Sequence, residues 1–193
     1  MFDEVWQDMR SLDADLAHEI LESMFVLMRA QTDKARKDMA DFGQYLRYRE
    51  RDFGKCFLSA VMRFAMDLHL TADELLVMKP VEENCSKHMS IVSDICSWER
   101  ELRQSRSTAE EGARLCNGVQ ILSASLGLDV EATKACLWTM VREWEVKHER
   151  LCSVPFVPAD ISKGAMLYLK GLEYQISGNE LWSRTTPRYL VLD

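Results

Sequence analysis

The chain has 193 residues, 47% of them apolar, and its 31 acidic against 24 basic side chains leave a net charge of −7. That balance excludes nucleic acid and anionic membranes as main partners, and no apolar run reaches the roughly 18 residues that a membrane span needs. The length suits one domain over residues 1–193, and six cysteines without a C-x-x-C pair read as free thiols in a reducing cytoplasm.

Eight Gly and four Pro among many helix formers predict an all-α chain without internal repeats. Residues 4 to 30 set Leu16, Ile20, Met24 and Leu27 at helical intervals and predict one long helix. A polar-rich helix follows over 32–47, and 51–69 carries the stripe Phe53, Phe57, Val61, Phe64 and Leu68. Thr71 with Glu74 reads as a capping box that opens a short helix ending before Pro80. The next helix spans 82–102, and the polar stretch 104–111 reads as a solvated loop. Helices over 113–126 and 130–151 flank Gly127-Leu128-Asp129; 153–160, with Pro155 and Pro158, is a turn. The last helix starts at Ile161, carries Met166, Leu169, Leu172 and Ile176, and meets Gly178.

The chemistry concentrates in Ser93-Asp94-Ile95-Cys96-Ser97-Trp98-Glu99-Arg100-Glu101. At about 100° per residue, with Ser93 at zero, Ser97 falls at about 40°, Glu101 at about 80° and Arg100 at about −20°. Two hydroxyls, a carboxylate and a guanidinium therefore share one stripe. Hard oxygen donors suit Mg²⁺ shared with phosphate oxygens, and a guanidinium grips phosphate with a planar fork. Spacing alone leaves a bland alternative open, since helical serines bond back to the i−4 carbonyl and a glutamate near a helix end is usually solvated. Arg49 and the pair Arg188-Tyr189, taken singly, are surface groups, and Trp182 alone is a core residue.

Taken together these segments resemble the class I terpene synthases, and within them the fungal aristolochene synthases. The nine residues from Ser93 to Glu101 correspond to the family's second metal motif, N-D-x-x-S-x-x-x-E. Ser177-Gly178-Asn179-Glu180-Leu181-Trp182-Ser183, followed by Arg188-Tyr189, correspond to its C-terminal signature. The similarity extends to 25–33, 142–145 and 171–175, and so covers essentially the whole chain. It implies that Ser93, Ser97 and Glu101 hold one of three Mg²⁺ ions. It implies further that Arg49, Arg100 (in place of the usual lysine), Arg188 and Tyr189 bind the diphosphate, while Trp182 faces the carbocation. The implied fold is the family's helical bundle, and the implied reaction is Mg²⁺-dependent ionisation and cyclisation of farnesyl diphosphate to a bicyclic sesquiterpene.

Three departures qualify the resemblance. The family's aspartate-rich motif, D-D-x-x-[D/E], does not occur; Asp13 with Asp15, or Asp33 with Asp38, do not match it. The chain is expected to be an N-terminally truncated, C-terminal portion whose missing helices lie upstream of Met1. Ser93 stands where the family has Asn or Asp, and a neutral hydroxyl is a poorer ligand than a carboxylate. Leu27 replaces an aromatic, removing one cation–π face. The alternatives to an active cyclase are a catalytically inactive remnant and a self-associating helical protein, such as a homodimer, formed through apolar faces left uncovered.

Overall fold

The computed structural model describes residues 2–33, 39, 41–107, 115–153, 157–158 and 160–189. Among the described residues every regular element is an α-helix: α1 (Phe2–Leu12), α2 (Ala14–Gln31), α3 (Phe42–Asp52), α4 (Lys55–Ala65), α5 (Ala72–Ser107), α6 (Gly118–Leu126), α7 (Val130–Leu151) and α8 (Lys163–Thr185). The expected all-α class holds, and several boundaries move.

The long first helix is two. Asp13 leaves the helix with extended backbone (φ −153°, ψ 110°), and its carboxylate accepts the Leu16 N–H, an N-cap that restarts the chain as α2. Asp41 caps α3 in the same way through the Gln44 N–H, so the expected helix over 32–47 gives way to one that begins at Phe42. Positions 34–38 and 40 of that expectation lie outside the described residues. The expected helix over 51–69 is divided at Gly54, whose φ of +76° a side chain would resist, and Leu27 packs against the space where its Cβ would stand.

The expected stop at Pro80 does not occur. The Thr71–Glu74 capping box forms reciprocally, and the helix it opens runs for 36 residues through Pro80. A proline inside a helix costs about 3 kcal/mol. Here Met78, Val81, Cys85 and Met89 continue an unbroken buried stripe past it. Each such side chain contributes about 1.5–3 kcal/mol when fully buried, so packing outweighs the lost bond. The helix also takes in 104–107, the start of the expected loop, whose remainder (108–111) lies outside the described residues.

Helix α6 begins at Gly118 with Asn117 as its cap; 115–117 are not helical, and 113–114 lie outside the described residues. The bounds expected for α7 match, set by the αL residue Gly127 and the cap Asp129. The turn over 153–160 is non-helical where described, with 154–156 and 159 outside the described residues. Helix α8 passes Gly178 and reaches Thr185.

Helix α5 is the axis of the packing. Its first half joins α8 through Met78, Val81, Cys85 and Met89 against Ala165, Tyr168, Leu172 and Ile176. Its second half buries Ile91, Val92, Ile95 and Trp98 against Tyr45 of α3, Val119 and Leu122 of α6, and Leu137 and Val141 of α7. Along the same stretch of α5, Asp94 meets α3, Glu101 meets the start of α6, and Ser93 meets the segment after α8.

Candidate metal and diphosphate site

Ser93 and Ser97 are almost fully buried, and Glu101 keeps a quarter of its side chain exposed. The Ser97 hydroxyl donates to Glu101 Oε1 at 2.6 Å, so two of the three expected ligands already touch. The Ser93 hydroxyl shares a hydrogen bond with the Tyr189 phenol. Burial pushes that phenol up, while the bond to Ser93 and the charges of Arg188 and Arg100 pull it back. The Arg100 guanidinium lies 5.6 Å from the Tyr189 ring centroid, and its Nη2 stands 4.0 Å from Glu101 Oε1. The Trp182 indole meets Tyr189 edge-on at 5.2 Å between centroids and remains 46% exposed. Tyr189 thus gathers Ser93, Arg100, Arg188 and Trp182 around it, with Glu101 close enough for its charge to act on the phenol. The side chain of Arg188 is exposed, and its backbone N–H donates to Thr186 Oγ1.

Arg49, on α3, is held by Asp94 of α5 and by Asp52 of its own helix. Its Nη2 and Nε donate to Asp94 Oδ1 at 2.7 and 3.2 Å, and its Nη1 donates to Asp52 at 2.7 Å. Asp94 is fully buried and also accepts the Tyr45 hydroxyl and, at 3.0 Å, the Gly118 N–H. Burial pushes the Asp94 carboxyl above the usual range, and the Arg49 charge opposes the rise. A Cβ at residue 118 would stand 2.9 Å from Asp94 Oδ2, so glycine is what admits this approach. Asp94, Tyr45, Asn117 and Gly118 are the residues that motif spacing did not single out. Asn117, also fully buried, donates from Nδ2 to Glu101 Oε2 and to the Asp94 carbonyl, each at 3.0 Å.

The donor chemistry at Ser93, Ser97 and Glu101 fits a hard divalent cation. All three offer oxygen, two of them are in contact, and the charge of Glu101 is met by neutral donors. Among the described residues two further groups could hold a metal. Asp13, Asp67 and His69 form a surface cluster. His88, Glu145 and Glu180 converge beneath a cavity of about 670 Å³ between α7 and α8. There the Arg142 guanidinium already bridges both carboxylates, and Arg184 adds a 2.8 Å ion pair to Glu180. The residues of α8 that line this cavity, Glu173, Ile176, Ser177, Glu180, Leu181 and Arg184, sit at least about 100° around the helix from Trp182. It is a separate feature from the Ser93 site.

An all-helical assembly that sets two hydroxyls and a carboxylate on one helix, with Tyr189 of the C-terminal segment beside them, fits the fold of a terpene cyclase. The chain belongs to the terpene synthase family: residues 1–147 match the model described as terpene synthase family 2, C-terminal metal binding. It is 51% identical over 187 residues to aristolochene synthase of Penicillium roqueforti, covering 96% of this chain and 55% of that protein. With aristolochene synthase of Aspergillus terreus it shares 47% identity over 189 residues, covering 98% of this chain and 59% of the relative. The crystal structure of the Penicillium roqueforti enzyme superposes with a TM-score of 0.81 at 48% identity, covering 95% of this chain and 60% of that one. A cucumene synthase variant shares the fold alone, at 18% identity and a TM-score of 0.71. The chain spans somewhat over half the length of the aristolochene synthases it matches. No helix among the described residues is long and apolar enough to cross a membrane.

Proposed function

We propose that this chain is the metal- and diphosphate-binding portion of a sesquiterpene cyclase, acting as one α domain on farnesyl diphosphate and yielding a bicyclic, aristolochene-type hydrocarbon. The observation that carries the reading is the gathering of Ser93, Arg100, Arg188 and Trp182 around Tyr189, with Glu101, held by Ser97, close by. Ser93, Ser97 and Glu101 would hold one Mg²⁺, which when bound supplies positive charge against the departing diphosphate. Arg100, Arg188 and the Tyr189 phenol supply donors to the same leaving group, acting where charge develops as the allylic C–O bond breaks. Arg49 reaches that role by exchanging part of its grip on Asp52 and Asp94 for phosphate oxygens. The exposed face of Trp182 offers π-density to the cation. Six free cysteines support a cytoplasmic setting. Leu167, Tyr174 and Leu181, exposed along α8, support self-association.

The test is a chimera in which this chain replaces the matching part of the Penicillium roqueforti enzyme, supplied with farnesyl diphosphate and Mg²⁺, with volatiles read by gas chromatography. A bicyclic sesquiterpene is the expected product, with Ser93→Asn leaving the yield unchanged or raising it. The 193-residue chain alone, having no D-D-x-x-[D/E] sequence, should release no hydrocarbon. A folded chimera that only hydrolyses or ignores the substrate would overturn the proposal.

A further inference from the structure

Asn117 lies 16 residues beyond Glu101 in sequence and caps a different helix, yet its side chain is spent on the metal motif. Its Oδ1 accepts the Val119 N–H at 2.9 Å, the ordinary act of an N-cap. That bond fixes which way the amide faces, so the NH₂ group must point toward α5. There it donates to Glu101 Oε2 and to the Asp94 carbonyl, and the Asn117 side chain is wholly buried. The other oxygen of Glu101 is taken by Ser97.

We infer that Asn117 is a positioning residue for the metal ligand Glu101: together with Ser97 it clamps the carboxylate in one orientation using neutral donors only. The inference rests on the metal reading of Ser93, Ser97 and Glu101. Its physical content is twofold. A glutamate free to rotate loses side-chain entropy when it binds a cation, and the clamp has removed that freedom beforehand. A cationic clamp, such as a lysine in place of Asn117, would hold the carboxylate equally well and cancel the charge that attracts the metal. An amide orients without neutralising. Removing such an outer partner typically lowers metal affinity about 10- to 100-fold. The adjoining Gly118 N–H fixes Asp94 in the same stroke, so the chain turn that starts α6 orders two acids about two helical turns apart on α5.

A plain N-cap role and a positioning role separate in Asn117→Ser and Asn117→Thr. Both residues cap helices well, and neither carries an amide to reach Glu101. Mn²⁺, which shares the oxygen preference of Mg²⁺, is titrated into the 193-residue protein with excess inorganic diphosphate and followed by electron paramagnetic resonance at a temperature where circular dichroism shows each protein folded. The expected result is a Mn²⁺ affinity at least about tenfold weaker in either variant than in the parent. Parental affinity in a folded variant would overturn the inference while leaving the metal reading standing. Absence of Mn²⁺–diphosphate binding in the parent would overturn both. Should the serine variant not fold, the threonine variant carries the comparison, and Glu101→Gln marks the affinity expected when the ligand itself is gone.

Discussion

At His88, helix α5 meets Glu145 of α7 and Glu180 of α8, and two guanidiniums, Arg142 and Arg184, cover those carboxylates. Farther along the same helix, Glu101 is met by a hydroxyl and an amide, while Arg100 stands off at 4.0 Å and leans over Tyr189. The first cluster has more acids and a histidine, and by count it is the better metal site. Its charge is already spent: burial pushes the Glu180 carboxyl up, but the Arg142 fork and Arg184 outweigh burial and hold it below the usual range. The second cluster has one acid, oriented by neutral donors and met by a cation only at 4.0 Å. What marks a cation site here is the charge left over after the protein has paired its own groups.

The largest effect expected from breaking this comparison lies beneath the second cluster. Arg49→Ala leaves Asp94 buried without its cation and should cost about 3–5 kcal/mol in urea unfolding. Arg142→Ala in the first cluster removes a guanidinium that is 47% exposed and should cost no more than about 1 kcal/mol. Equal losses would show that the two clusters are not electrostatically different.

Acid should act next, and mainly through the first cluster. Burial holds the His88 imidazole below its usual value against the pull of Glu145 and Glu180, with Arg142 adding to the depression. Burial lowers His148 as well, with Glu173 and Glu149 opposing and His88 and Lys55 assisting. Both rings are thus neutral when folded at a pH where the unfolded chain takes up protons. Stability should be full above about pH 6.5 and fall as acid approaches the folded values, by at most about 1.4 kcal/mol per pH unit for each ring. Urea midpoints between pH 7.5 and 5.5 measure the slope, which His148→Leu should flatten; an unchanged slope would remove His148 from the account.

The smallest change is expected at Trp182. Its indole is half exposed and meets Tyr189 at an edge, so Trp182→Ala should cost about 0.5–1.5 kcal/mol in the same assay. A larger loss would make it a packing residue instead of a face presented to a ligand.

The stripe from Ser93 to Glu101 was legible because helical period alone puts it on one face, and the Thr71–Glu74 box and α7 were legible because their signals are local. Asp13 was missed because the apolar spacing of α1 and α2 runs through it without a change of phase. Pro80 and Gly178 are local helix-breaking signals, yet each costs a bounded amount that packing on the far side exceeds: Val81 and Cys85 beyond the proline, Ser183 and the Asn179 bond to Met89 around the glycine. The partners of the site are legible only in part: the family resemblance joins Tyr189 to Ser93, although nothing local does, whereas no signal joins Asn117 to Glu101, because tertiary packing alone brings them together.

Titration calorimetry of inorganic diphosphate into the 193-residue protein, in Mg²⁺ and in EDTA, tests the central claim most directly. The account predicts binding in Mg²⁺ that is lost in EDTA and in Glu101→Gln, and is unchanged in Glu145→Gln. Equal binding in Mg²⁺ and EDTA, or loss on Glu145→Gln with Glu101→Gln intact, would contradict it.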